Sequence, residues 1–259
     1  MGHLTLSHYY LCYDNGLILI QDYIKHTLVI MNVIIVIAIA LVLSIQPLWR
    51  RYTLWRWKHH LNLNKHLSAL KHISEDLNGF HLSKLARTNS DAMEYVYGEI
   101  DCLSFIALLS LTNPNQDTVF YDLGSGLGKT VLACAMIFNI KKSCGIELFS
   151  TLDTAAKQQL NQLKKLKPYQ SMTERVVFIC GNFMTTNFDD ATHIYINATG
   201  YFGETWDILN TCLEQLPTTP IIITTTKPLK SGPFQIVRQT RAQMSWGIVD
   251  AFIQIKAGH

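Results

Sequence analysis

Two acids that close short apolar runs frame a glycine-rich loop, and that arrangement can hold a nucleotide-like ligand. The stretch Val119-Phe-Tyr-Asp-Leu-Gly-Ser-Gly-Leu-Gly-Lys-Thr130 reads as a buried strand ending in Asp122. Gly124, Gly126 and Gly128 follow, and then an apolar-periodic helix from Thr130 to Phe138. About twenty residues on, Cys144-Gly-Ile-Glu-Leu148 repeats the pattern of a short strand ending in an acid, Glu147. Glycines permit a tight turn and close backbone approach, and an acid one strand over is placed to accept hydrogen bonds from two ribose hydroxyls. The spacing G-x-G-x-G differs from the G-x-G-x-x-G of dinucleotide sites and is the form S-adenosylmethionine sites favour. A P-loop is excluded: Gly128-Lys129-Thr130 supplies its tail, but the leading glycine would fall at Leu123. Dinucleotide binding and a purely structural turn stay open on the loop alone.

Three further groups of residues have chemistry to offer. Arg175-Val-Val-Phe-Ile-Cys180 reads as a third strand and ends in Gly181-Asn182-Phe183. There a side-chain carbonyl can accept from an adenine amino group while an aromatic packs on the ring, although a plain Gly-Asn turn explains the same residues. His193-Ile-Tyr-Ile-Asn-Ala-Thr199 reads as the fourth strand. Its end faces the transferred group in a doubly wound sheet, so Asn197 and Thr199 are the candidates to orient an acceptor, with Tyr201 and Phe202 able to shape its channel. Upstream, Tyr97-Gly98-Glu99-Ile100 is either a turn or a loop folded over the ligand.

The elements that must position these residues follow from the pattern. Pro220-Ile-Ile-Ile-Thr-Thr-Thr226 gives a fifth strand, and Phe234–Arg238 and Ile248–Ile255 alternate as a closing antiparallel pair. A helix Cys102–Leu111 precedes the first strand, and a polar helix Thr151–Lys167 and a helix Glu204–Leu216 separate later ones. The expected fold is α/β and Rossmann-like: a doubly wound, mostly parallel sheet of seven strands. The six cysteines show no metal-ligand spacing, and neither do His59, His60, His66 and His72, so reduced thiols and no metal are expected.

Ahead of that domain the composition changes. Leu28 to Ile45 is eighteen residues without a charge, long enough to cross a bilayer, and no A-x-A-like cleavage site follows. Trp49, Arg50, Arg51, Tyr52, Trp55, Arg56, Trp57 and Lys58 come next, the mark of a cytoplasmic interface. The chain therefore divides into a short segment 1–27, a transmembrane anchor 28–47, a basic amphipathic juxtamembrane helical linker 48–90 lying against anionic lipid, and a catalytic domain 91–259 facing the cytoplasm. Met31 is an alternative start to Met1. Residues 48–90 carry eight Lys and Arg against two acids, whereas 91–259 carry thirteen against fifteen. A slightly acidic domain is ill suited to phosphate backbones, so nucleic acid or a nucleosome is not expected as partner.

Taken in order, several of these motifs resemble the disruptor-of-telomeric-silencing family of non-SET histone-lysine methyltransferases. They are Val96-Tyr-Gly-Glu99, Phe120-Tyr-Asp-Leu-Gly-Ser-Gly-Leu-Gly128, Gly145-Ile-Glu147, Gly181-Asn-Phe183, Ile194-Tyr-Ile-Asn197, Thr226-Lys-Pro228 and Ser245-Trp246. The resemblance covers Asp91 onward. It implies an S-adenosylmethionine-dependent class I methyltransferase in which Tyr97, Gly98, Glu99 and Ile100 cover the methionine end of the cofactor. Phe120, Asp122, Gly124, Ser125, Gly126, Gly128 and Lys129 would form the main loop. Glu147 would hold the ribose, Asn182 and Phe183 the adenine, and Asn197 would border the lysine channel. Asn182 stands where the family carries an acid. The expected reaction is direct transfer to a neutral nucleophile, a protein lysine or else a lipid, quinone or other small molecule; a non-catalytic membrane-bound scaffold is the remaining reading.

Overall fold

The computed structural model describes residues 6–75, 77–86, 98–230 and 232–257, with side chains from residue 23 onward. Two units are present, one ending at His60 and one beginning at Leu61.

The first unit is a single helix, α1 (Leu6–His60), with Pro47 inside it. Its part Tyr23–His60 is long and apolar enough to cross a membrane, and none of its most apolar window is buried. At 1.5 Å per residue those 38 residues run to about 57 Å, well beyond a hydrocarbon core of about 30 Å. The uncharged stretch 28–45 therefore occupies only part of a longer rod. Past it, Trp49, Tyr52, Trp55 and His59 lie one above another at 3- and 4-residue spacing, with ring centroids 6.1, 6.2 and 5.4 Å apart.

The second unit is built on a sheet. β1 (Val119–Leu123), β2 (Lys142–Glu147), β3 (Val176–Cys180), β4 (His193–Asn197) and β5 (Ile221–Thr225) are parallel, and β6 (Phe234–Met244) and β7 (Gly247–Lys256) close it antiparallel in the order β3-β2-β1-β4-β5-β7-β6. The order reverses between β1 and β4, so their loops part and leave a crevice at the carboxyl ends of the strands. This is the doubly wound sheet read from the sequence, except that the closing pair is a hairpin with only Ser245 and Trp246 between its strands. The helices α4 (Cys102–Ser110), α5 (Lys129–Ile137), α6 (Ser150–Lys165), α7 (Gln170–Thr173) and α8 (Gly203–Glu214) complete it. β1 is buried at all five positions. On one side Tyr121 and Leu123 join Ile194, Ile196, Trp206 and Ile222 in the main core. On the other, Phe120 meets Phe105 of α4 edge to face at 5.7 Å.

The segment expected to lie on lipid does something different after residue 61. α2 (Leu63–Ser74) buries Leu63, Leu70 and Ile73, and it packs on α5 and α6. α3 (Gly79–Ala86) packs on α6, where Leu77 and Leu82 meet Leu127, Leu152 and Ala155. An amphipathic stripe needs an apolar partner, and the α/β unit supplies it. The linker reading of 48–90 is therefore corrected for α2 and α3, which are part of the fold. Truncating Leu70, only 7% exposed, to Ala should lower unfolding free energy by about 2–4 kcal/mol. A urea titration without lipid checks this; an unchanged midpoint would return α2 to the lipid surface.

Candidate active site

The sheet crevice holds a cavity of about 270 Å³, and most of the residues singled out from the sequence line it. From the loop after β1 come Gly124, Ser125 and Gly126, with Asp122, Lys129 and Glu147 around them. From the far ends come Asn182, Phe183 and Asn197, and Gly98, Glu99 and Ile100 cover the opening.

The loop turns where the glycines allow it. Gly124, Gly126 and Gly128 sit at φ 90°, 53° and 73°, a region closed to most side chains. The N–H groups of Gly124 and Ser125 both donate to the Ile146 carbonyl, at 2.9 and 3.1 Å, which ties the turn to β2. Glu147 then reaches back: its Oε2 accepts from Gly126 N–H at 2.8 Å and its Oε1 from Phe149 N–H at 2.9 Å. These bonds fill two of the carboxylate's roughly four lone-pair sites, leaving capacity for hydroxyl donors. Burial pushes the Glu147 carboxyl above the usual range, opposed by the Phe149, Gly126 and Leu148 backbone N–H groups.

Asp122 is 3% exposed. Burial raises its carboxyl to about 7, against the hydrogen bond it accepts from the Thr130 hydroxyl, and the nearby Glu147 charge adds to the rise. The Ser125 hydroxyl is buried at the cavity wall with no hydrogen-bond partner among the described residues. Leu148, Phe149, Leu152 and Phe183 line an apolar slot beyond Glu147. An adenosine group fits this set: flat apolar walls for a base, an acid with spare acceptor capacity for a diol, and an orphaned hydroxyl between them. Asn182 stands at the slot's edge, with one lone pair of its carbonyl taken by Met184 N–H at 2.9 Å.

The cover is a stitched loop. Asp101 N–H donates to the Gln243 carbonyl at 2.8 Å, Ser245 N–H to the Glu99 carbonyl at 2.8 Å, and Glu99 N–H to the Ser245 hydroxyl at 3.2 Å. Ile100 bridges Met244, and Asp101 caps α4 by accepting from Ser104 N–H at 3.0 Å. The Trp246 ring lies on Gly98 so closely that a Cβ there would fall 1.9 Å from it. Inside, Lys129 Nζ pairs with Glu99 Oε2 at 2.7 Å. Asn197 joins cover and floor: its Nδ2 donates to the Gly98 carbonyl at 3.0 Å, while its Oδ1 accepts from the Thr225 hydroxyl at 3.0 Å and the Thr199 hydroxyl at 2.9 Å. Both ends of that amide are used internally, so Asn197 acts here through the backbone it holds.

Three expected site residues are placed otherwise, and a fourth is not described. Phe120 points into the core against Phe105 and does not reach the cavity. Gly128 does not line it either; its role is to start α5 from a left-handed turn under the Phe178 ring, 2.4 Å from where a Cβ would be. Thr199 sits behind Asn197, hydroxyl to hydroxyl with Thr226 at 2.6 Å. Tyr97 lies outside the described residues. Unexpected lining comes from Ser83 on α3, from Phe149 and Leu152 at the start of α6, and from Tyr195. The aromatic after an acid-ending strand was a usable signal for Phe149, whereas Ser83 required knowing that α3 folds back. Tyr201 stands over the loop with its hydroxyl 2.5 Å from a Cβ built on Gly124, and edge-on to Phe183 at 5.4 Å. Burial drives the Tyr195 and Tyr201 hydroxyls well above the ordinary phenol range, so neither is a ready base.

The Asp122 shift has a measurable sign. A carboxyl at about 7 when folded and 3.8 when unfolded favours the folded state fully below pH 3.8, and that contribution is lost as pH rises through 7. Between pH 5 and pH 8 the protein should lose about 2–3 kcal/mol relative to Asp122→Asn, whose amide still accepts from Thr130. Urea titrations of both at the two pH values check this; parallel behaviour would mean Asp122 ionises normally.

Comparison with known proteins agrees with this geometry. A protein-lysine N-methyltransferase of Saccharolobus islandicus (strain REY15A) is 31% identical over 85 residues, 33% of this chain and 48% of that protein. An H3 lysine-79-specific histone-lysine N-methyltransferase of Caenorhabditis elegans is 28% identical over 155 residues, 58% of this chain and 16% of its own length. A Kluyveromyces lactis enzyme of the same description is 32% identical over 84 residues, 32% of this chain and 14% of its own length. The chain thus spans less than half the length of these relatives. The family model described as histone methylation protein DOT1 matches residues 81–246, from α3 through the cover loop to Trp246, and the chain belongs to that family.

Proposed function

We propose that this protein is an S-adenosylmethionine-dependent methyltransferase that modifies lysine in protein at a membrane surface. The observation that carries the cofactor is Glu147, a buried carboxylate that accepts from Gly126 of the glycine loop and from Phe149 and keeps acceptor capacity toward an apolar slot. S-adenosylmethionine would supply a methyl group already activated by a sulfonium. Glu147 would hold the ribose, Phe149 and Phe183 the adenine faces, and Glu99 with Lys129 the charged amino-acid end. Burial makes Asp122 sensitive to charge: a cationic ligand beside it favours its ionised form.

The chain's remaining task is orientation and exclusion of water. The cover loop closes the cavity, and Tyr201 forms the wall toward the acceptor side. Lysine must arrive as the neutral amine, and an apolar entry favours that form. Support for lysine comes from the activities named for the relatives; support for the membrane comes from α1, and its Lys- and Arg-rich end supports a cytoplasmic orientation. Phe202, 48% exposed beside Tyr201, and Leu148, 44% exposed, would also suit an apolar acceptor, which makes a lipid or quinone the second reading.

One labelling experiment decides between them. Full-length protein is incubated with methyl-tritiated S-adenosylmethionine and a membrane-containing lysate, and label is partitioned between protein and organic extract. Methyl-lysine after hydrolysis of a discrete labelled protein is expected; label in the organic phase would move the enzyme to lipid or quinone chemistry. Separately, Glu147→Ala should weaken S-adenosylhomocysteine binding by about 1–3 kcal/mol by calorimetry, and unaltered affinity would remove Glu147 from the ribose.

A further inference from the structure

The turn that ends β5 contains a residue in the wrong conformation for its type. Thr226 lies at φ 74°, in the left-handed region where a β-branched side chain is strained. Three residues other than glycine have positive φ among those described. The other two, Asn62 and Asn113, are of a type that tolerates it. Thr226 is kept there by bonds on both sides. Its N–H donates to the Asp250 carbonyl of β7 at 2.7 Å, and its hydroxyl meets the Thr199 hydroxyl at 2.6 Å. Thr199 in turn donates to Asn197 Oδ1, which also receives Thr225. The next residue grips the same target: Lys227 Nζ donates to the Tyr201 carbonyl and lies 4.5 Å over the Phe202 ring and 4.8 Å over the Trp206 ring.

Most of what these two side chains hold belongs to the segment 198–202 after β4, with the Trp206 ring of α8 beside it. Gly200 and Tyr201 of that segment line the cavity, and Tyr201 stands over Gly124 between the glycine loop and Phe183. Lys227 and Thr226 do not line the cavity themselves. Strain in a backbone persists where surrounding structure over-determines it, and such residues gather at functional sites. A strained threonine that spends its hydroxyl on the residue behind Asn197, two residues before Tyr201, fits that description.

We infer that Thr226 is a positioning residue for methyl transfer: its strained turn and hydroxyl, seconded by Lys227, fix the 198–202 segment and with it the Tyr201 wall that admits the acceptor. The inference rests on the methyl-transfer reading of the same cavity, and it assigns Thr226 to the acceptor side with no share in holding the cofactor.

The test uses full-length protein carrying Thr226→Gly or Thr226→Ser. Glycine takes the left-handed turn freely and lacks the hydroxyl; serine keeps the hydroxyl. Three quantities are measured: the melting temperature, the affinity for S-adenosylhomocysteine by calorimetry, and the rate of tritium transfer from saturating S-adenosylmethionine into protein of a membrane-containing lysate. In Thr226→Gly the transfer rate should fall at least about tenfold, while affinity stays within about twofold and melting within about 3 °C, because relief of strain offsets the lost bond. Thr226→Ser should keep the rate within about threefold of the parent. The inference is overturned if Thr226→Gly transfers at the parent rate, if its cofactor affinity falls in step with its rate, or if serine is as impaired as glycine. A parent protein that transfers no methyl at all would instead overturn the functional reading. In that event a large drop in cofactor affinity or melting for Thr226→Gly would still refute the acceptor-side placement.

Discussion

Two carboxylates buried on adjacent strand ends set the terms for the whole unit. Asp122 and Glu147 are 3% and 6% exposed; burial makes both harder to ionise, and the Glu147 charge adds to the cost at Asp122. Burying acids is unfavourable unless donors are arranged around them. The glycine loop is that arrangement: it delivers the Gly126 N–H to Glu147, and α5 begins with the Thr130 hydroxyl on Asp122. The left-handed glycines, the tie to Ile146 and the first turn of α5 all follow from bringing backbone N–H groups to that place. The unit holds its acids partly satisfied, which leaves them responsive to a ligand with hydroxyls and positive charge.

The opposite wall depends on an amide. Asn197, at the end of β4, ties the turn after that strand, β5 and the cover loop together through Thr199, Thr225 and Gly98. Its oxygen and one N–H of its nitrogen are bonded to opposite walls, so it transmits the position of one wall to the other. The cover itself is an extra backbone crossing beside the β6–β7 hairpin, with Ile100 bridging Met244 and Trp246 folded on Gly98. An edge strand is ordinarily a liability; here part of it is occupied by the chain's own loop.

How much of this was legible depends on which residues carry a period or a fixed spacing. The acid-ended strands, the glycine spacing and the closing antiparallel pair are local patterns, and Asp122, Gly124, Gly126 and Glu147 could be read from them. Phe120 was not readable in the same way. A central parallel strand is buried on both faces, so Phe120 and Tyr121 look alike in sequence and only the packing of α4 separates their environments. The stripe of α2 had the right period, but period alone does not say whether lipid or protein covers it. Ser83 reaches the cavity because α3 docks on α6, and nothing near Ser83 in the chain announces that. The turn at Thr226 was invisible for the opposite reason: its residue type argues against the conformation it adopts.

The seam between the cover loop and the hairpin also orders events during synthesis. Glu99 and Ser245, whose backbones meet at 2.8 Å, are 146 residues apart. A nascent chain has its apolar helix, both buried acids and the glycine loop long before Ser245 leaves the ribosome, yet it has nothing to latch residues 98–101 against. Until that hairpin forms the crevice is an open trough that water enters freely. The growing polypeptide therefore carries an uncovered crevice through most of its synthesis. Closure of the crevice thus waits on a hairpin made long after the site it covers.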